Sequence, residues 1–229
     1  MPDWGTTFLL MVTAAFTVAN WNASWRGKFS VYYATKPFVL LGLIAIFLLN
    51  GPTGSFRLPF LLGLMFSLLG DVFLIPQGKR WFLAGMGAFA VAQILYIIGF
   101  NASLPSSPVL VIGIVGFLAG ALILHLAADR LAAKTNLSRR FLWLCKIYSF
   151  LVLGMAISAV LCLDRAGWSD TGAVMAGVGG ILFLVSDIMI GLDKLDRRLP
   201  RYKFWIIVTY HVGQFLIAAA VLSVSAGIA

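Results

Sequence analysis

The sequence has no glutamate, only two histidines and only two cysteines among its 229 residues. With His125 and His211 alone, a zinc-dependent lipid hydrolase built on several histidine ligands is disfavoured, and no metal or other cofactor is expected. Cys145 and Cys162 fall within one apolar segment, so they suggest neither a disulfide framework nor a zinc site and read as small packing residues. Charge is also scarce, at 11% of residues, against 61% hydrophobic residues and a mean hydropathy of +0.99. A soluble domain is about half apolar and about a quarter charged, so that class is excluded. No basic–aromatic nucleic-acid module is present, and the excess of 17 basic over 8 acidic residues is read instead as topology and lipid-headgroup contact. No positive n-region precedes the first apolar run, which therefore reads as a retained span rather than a leader peptide.

What the chain does have is long, uninterrupted apolar runs. Stretches of about 20 residues point to helices, whereas a transmembrane barrel alternates over about 10. Eight spans can be marked at roughly 5–24, 37–50, 57–76, 81–100, 108–127, 141–163, 171–192 and 204–225, the second starting nearer Val31 if Pro37 sits at a kink. The connections are too short to fold separately. The expectation is an all-α polytopic membrane protein of eight transmembrane helices forming one integral-membrane domain over residues 1–229. Spans 3–4 and 7–8 resemble each other weakly, suggesting a 4+4 parallel repeat. N-x-S triplets at Asn22, Asn101 and Asn136 read as chance.

Basic residues set the orientation. Fifteen of the 17 lie in or beside connections 1–2, 3–4, 5–6 and 7–8, leaving Arg57 and Arg165 on the other side. The positive-inside rule then puts these loops in the cytoplasm and both termini on the non-cytoplasmic side, as in a multi-pass protein of the plasma membrane, or of the inner membrane in a bacterium.

Two of the eight acidic residues lie inside apolar runs: Asp71 in LLGLMFSLLGDVFLI and Asp187 in GVGGILFLVSDIMIG. A carboxylate at membrane depth costs about 2.5–3.5 kcal/mol on insertion scales, so its default reading is functional. Both lie about five residues from the cytoplasmic end of their spans, hence roughly 8 Å below the boundary. The small residues Gly172, Ala176 and Gly180 of span 7, and Gly63 and Gly70 of span 3, allow close helix approach. Other polar groups fall near the same level: Asn20, Lys36, Lys146, Tyr148, Ser186, Tyr210, His211 and Gln214. They are candidates for lining a substrate cavity, with snorkelling, interfacial or helix-bridging roles as the alternatives.

The segments TKPFVLLGL, GLMFSLLGDVFLIP, QILY, KIYSFLVLGMAISA, GGILFLVSDIMIGLDKL and YHVGQFLIAA resemble the YhhN-like transmembrane lysoplasmalogenases. The most specific elements are Gly70-Asp71 and Ser186-Asp187; Gln93 stands where the resemblance leads one to expect a histidine. The resemblance implies an eight-helix hydrolase acting on an ether bond. It would cleave the vinyl ether of a lysoplasmalogen to a fatty aldehyde and glycerophosphocholine or glycerophosphoethanolamine, with Asp71 and Asp187 as the catalytic pair. The expected partners are a lysophospholipid substrate and membrane lipid. Vinyl ether hydrolysis proceeds through an oxocarbenium ion, and two carboxyls in different protonation states suit it, as in glycosidases. The alternative is a proton-coupled transporter using the same acids. An intramembrane aspartyl protease is disfavoured because Leu68 stands where a GxGD pattern needs glycine.

Overall fold

The computed structural model describes residues 4–50, 56–133, 135, 137–194 and 200–224. Lys134, Arg197 and Arg198 of the basic connections, Asn136 and Ser225 at the end of the last expected span lie outside the described residues.

The described residues form eight helices and no strand: α1 Trp4–Trp25, α2 Phe29–Leu49, α3 Leu58–Phe73, α4 Lys79–Phe100, α5 Ser107–Ala132, α6 Arg139–Val160, α7 Asp170–Lys194 and α8 Tyr202–Ser223. A 3₁₀ turn, Leu161–Asp164, prolongs α6. Six of these (α2, α4, α5, α6 with its 3₁₀ turn, α7 and α8) are long and apolar enough to cross a membrane, which makes the chain a polytopic membrane protein. The other two differ for separate reasons. With 16 residues, α3 is about 24 Å long, shorter than the 57–76 span expected. By contrast, α1 is long enough but turns the polar residues Thr6, Thr13, Thr17, Asn20 and Ser24 inward. Pro37 sits inside α2, which starts at Phe29. A proline inside a helix forfeits one backbone hydrogen bond, which membrane helices tolerate when neighbours compensate.

Seven helices close a ring: α1 packs on α2, α2 on α3, α3 on α4, α4 on α6, α6 on α7 and α7 on α8, and α8 returns to touch α1, α2 and α3. The remaining helix, α5, lies outside this ring against α6 and the 3₁₀ turn. Its one fully buried residue is Gly113; the apolar remainder suits a lipid-facing helix.

Small residues let α7 and α8 cross backbone to backbone. A Cβ on Gly179 of α7 would come within 2.9 Å of the Gly213 carbonyl of α8, and a Cβ on Gly213 would meet the Gly179 carbonyl at the same distance. Backbone cannot yield as a side chain does. Gly179→Val is therefore expected to cost about 1–3 kcal/mol, read as earlier thermal unfolding in detergent. Gly87→Ala, where an added Cβ meets nothing, should be neutral or slightly stabilising.

The two ends of the ring differ in charge. Lys79, Ser138, Lys194 and Lys203, from three of the basic connections, surround one opening, here called the basic end. Arg57 and Arg165 serve helix ends elsewhere: Arg57 donates to the Asn50 and Leu222 carbonyls, and Arg165 to the Ser158 carbonyl and the Asn101 side chain. Satisfying late carbonyls of a helix is a capping role, needed because they have no partner within the helix.

Candidate active site

At the basic end, a cavity of about 800 Å³ runs into the ring, and both Asp71 and Asp187 lie on its wall. The helix ends displace the two acids from the equal spacing expected. Asp71 is two residues from the end of α3, while α7 continues seven residues beyond Asp187. They nevertheless meet one space, because Asp71 enters it beside α2 and α8 and Asp187 beside α6.

Their surroundings differ. Asp71 is 1% exposed. The Lys36 ammonium of α2 lies 2.9 Å from one of its oxygens, and the Tyr210 hydroxyl of α8 donates to the other at 3.1 Å. That is a charge-assisted pair reinforced by a neutral donor, the arrangement a buried carboxylate requires. Asp187 is only half-buried, and the Tyr148 hydroxyl of α6 donates to its Oδ2 at 2.8 Å. Each acid thus takes a partner from the helix preceding its own. The packing of α3 on α4 supports the arrangement, since Gly63 and Gly70 leave room for the Tyr96 and Phe89 rings. Phe89 and Phe183 then hold the Tyr210 ring edge-on at 5.7 and 5.4 Å.

The other candidates divide into three groups. Lys36, Ser186 and Tyr210 line the cavity with the two acids. Ser186 also donates to the Ile206 carbonyl at 3.1 Å, tying α7 to α8. Tyr148 and Lys146 line a second, neighbouring cavity. There Lys146 is not a free cation, because Asp129 of α5 accepts from it at 2.6 Å. Asn20, His211 and Gln214 lie outside both sets of walls. Asn20 donates to the Tyr32 carbonyl and the Thr35 hydroxyl, fastening α1 to α2. His211 accepts at Nδ1 from the Trp21 indole at 3.1 Å, and Gln214 accepts from Tyr96 at 2.7 Å. These three bridge helices, the commoner use of polar residues inside a membrane bundle. Gln93 is fully buried on α4 beside the Tyr148 hydroxyl.

Sequence reasoning missed Tyr32, Tyr33 and Lys203 as wall residues. The start at 37 put the two tyrosines in a connection, although the alternative start near Val31 takes them into α2, and Lys203 counted only towards orientation. An earlier helix start at Phe29 would have brought both rings to the level of Lys36. At the rim, Lys203 rests over the Phe29 ring at 4.1 Å, Lys194 over Phe82 at 4.4 Å and Lys79 over Phe141 at 5.9 Å. Cation–π contact steadies an ammonium without neutralising it, so this rim keeps three positive charges available to an anion. Among the described residues, no group of three His, Cys, Asp or Glu side chains is placed to hold a metal ion.

The fold and the site define a class: polytopic integral-membrane proteins with two carboxyls on the wall of one basic-mouthed cavity. Within that class the chain belongs to the YhhN family, whose profile matches residues 31–221. It is 34% identical over 175 residues to Bos taurus lysoplasmalogenase TMEM86A, covering 75% of this chain and 67% of that protein. To the Homo sapiens lysoplasmalogenase TMEM86A it is 33% identical over 159 residues, 68% of this chain and 62% of the relative. Homo sapiens lysoplasmalogenase TMEM86B is 26% identical over 189 residues, 82% and 74% of the two chains. The matches thus span about two thirds of the relatives' length. No solved structure matches the chain.

Proposed function

We propose that this protein hydrolyses the vinyl ether bond of lysoplasmalogens, releasing a fatty aldehyde and a glycerophospho-alcohol, with Asp187 as the acid and Asp71 as the fixed negative charge. The observation that carries the reading is the unequal pairing of two carboxyls on one cavity wall. Asp71 has an ammonium and a hydroxyl; Asp187 has a neutral hydroxyl and faces the cavity half-buried. The names of the relatives supply the substrate class.

The reaction is R–CH=CH–O–R′ + H₂O → R–CH₂–CHO + HO–R′. The protonated Asp187 carboxyl gives its proton to the alkene carbon distal to oxygen, and the π electrons leave an oxocarbenium ion at the carbon next to oxygen. The Asp187 carboxylate so formed, with Asp71 nearby, stabilises that cation. Water adds to it and its proton returns to Asp187. The hemiacetal then breaks its C–O bond to the glycerol: Asp187 gives its proton to the leaving oxygen and takes the proton of the hemiacetal hydroxyl as the carbonyl forms. An acid and a charge stabiliser around an oxocarbenium ion is the division of labour seen in glycosidases. Tyr148 orients Asp187, and Lys36 with Tyr210 keeps Asp71 in place. The phosphate head sits at the Lys79, Lys194 and Lys203 rim, with the basic end towards the cytoplasm.

The test measures aldehyde released by the purified protein from a vinyl-ether lysolipid and from its saturated-ether counterpart. Turnover of the first alone, undiminished by a chelator, supports the reading; equal turnover of both removes it. Tyr148→Phe should lower kcat about tenfold or more with little change in KM, because it disturbs the acid and not the binding of the head.

A further inference from the structure

A second cavity, of about 120 Å³, lies between α4, α5, α6 and α7 next to the first. The two share walls, including Phe82, Phe89, Phe141, Asp187 and Ile190. Asp71 belongs to the first alone; Asp187 is the carboxyl that borders both.

The polar side chains of this second space are largely engaged with the protein itself. The Lys146 ammonium and the His125 imidazole both pair with Asp129, at 2.6 and 3.3 Å. Ser149 donates to the Cys145 carbonyl at 2.8 Å, and Tyr148 to Asp187. Lys194 lines both spaces and belongs to the basic rim of the first. What remains facing the space is hydrocarbon and ring: Met86, Leu124, Ala128, Leu142 and Phe150. The outer wall comes from α5, the helix outside the ring. Polar groups already hydrogen-bonded to one another present little to a polar ligand, and such a space favours an apolar one.

We propose that this space takes the first carbons of the lipid's aliphatic chain, entered past Asp187 from the head-binding cavity, with longer chains running on past the exposed Gly191. The assignment rests on the lysolipid reading above. A single-chain lipid has its cleavable bond between a polar head and a hydrocarbon tail. A basic cavity and an apolar one meeting at one carboxyl reproduce that order, so the slot places the first carbons of the chain beside Asp187 and sets chain-length preference.

Gly191 of α7 offers the test. It lines the slot, and a Cβ built on it meets nothing within 4 Å. Gly191→Phe therefore puts a ring at the exposed edge of the slot from a Cβ that strikes no neighbour, and replacing a helical glycine raises helix propensity. Gly87→Phe, at another open helical glycine that does not line the slot, is the matched control. With vinyl-ether lysolipids of about 8 and about 18 chain carbons, Gly191→Phe should lower kcat/KM for the long chain by about tenfold or more while changing the short chain by about twofold at most. The control should change neither.

A binding experiment separates this proposal from the reaction. A non-cleavable saturated-ether lysophosphatidylcholine with a diazirine at mid-chain is irradiated with the wild-type protein, with and without excess unlabelled lysolipid. Competable labelling of Met86, the 124–128 segment of α5 or the 142–150 segment of α6, lost in Gly191→Phe, supports the slot even if no aldehyde is ever released. Competable labelling confined to other helices, or a length profile unmoved by Gly191→Phe, overturns it.

Discussion

Asp187→Asn should leave a folded protein with kcat for aldehyde release lowered about a thousandfold, within the range seen when a positioned general acid is removed. Asparagine has nearly the shape of a protonated aspartic acid, and its amide oxygen can still accept the Tyr148 hydroxyl that now donates to Oδ2 at 2.8 Å. No buried cation is orphaned, because the hydrogen-bond partner of Asp187 is neutral. What disappears is a transferable proton, since an amide does not protonate carbon at neutral pH. KM should change little, because asparagine keeps the size of the side chain and leaves the head and chain contacts in place. Thermal unfolding in detergent, run on the same preparation, checks that the fold is intact. An Asp187→Asn protein that unfolds at the wild-type temperature and still turns over within tenfold of wild type would place the acid elsewhere.

Lys36→Met should produce the largest loss of stability of any single substitution at the site, about 3–5 kcal/mol, by removing one partner of a buried ion pair. Asp71 is 1% exposed and would keep only the Tyr210 hydrogen bond. The double variant Lys36→Met with Asp71→Asn should recover most of that loss, since no uncompensated charge remains and Tyr210 still has an acceptor. It should nevertheless release no aldehyde above about one thousandth of wild type, because the charge that stabilises the cation is gone. A double-mutant cycle of unfolding free energies measures the coupling directly. If Lys36→Met and the double variant are equally stable, the ammonium and the carboxylate do not depend on each other in the folded protein.

Much of this molecule was legible before any coordinates. Hydropathy is additive along the chain, so eight apolar runs announced eight helices, and the two acids stood out because nothing near them in sequence explained them. The glycines of α3 and α7 marked the faces that pack tightly, and Gly63, Gly70 and Gly180 do meet neighbouring helices closely. Helix ends were less legible. The 57–76 span shrinks to Leu58–Phe73 and α2 grows back to Phe29, because an apolar residue beyond a helix end is as hydrophobic as one within it.

The partners of the polar residues were a different matter. Lys36 and Lys146 looked alike in sequence, each a lysine near the start of a span, yet one pairs with Asp71 and the other with Asp129. His211 follows Tyr210 directly, but a helix turns by about 100° per residue, and the two point to different neighbours: Asp71 for the tyrosine, Trp21 for the histidine. The sequence by itself determined which segments are apolar enough to form the helices and which residues within them carry an energetic cost, since these follow from composition. Only the tertiary structure decided which helices adjoin and which way each is rotated about its axis. That choice depends on contacts between residues remote in the chain, and it is what leaves two carboxyls with different companions around one cavity.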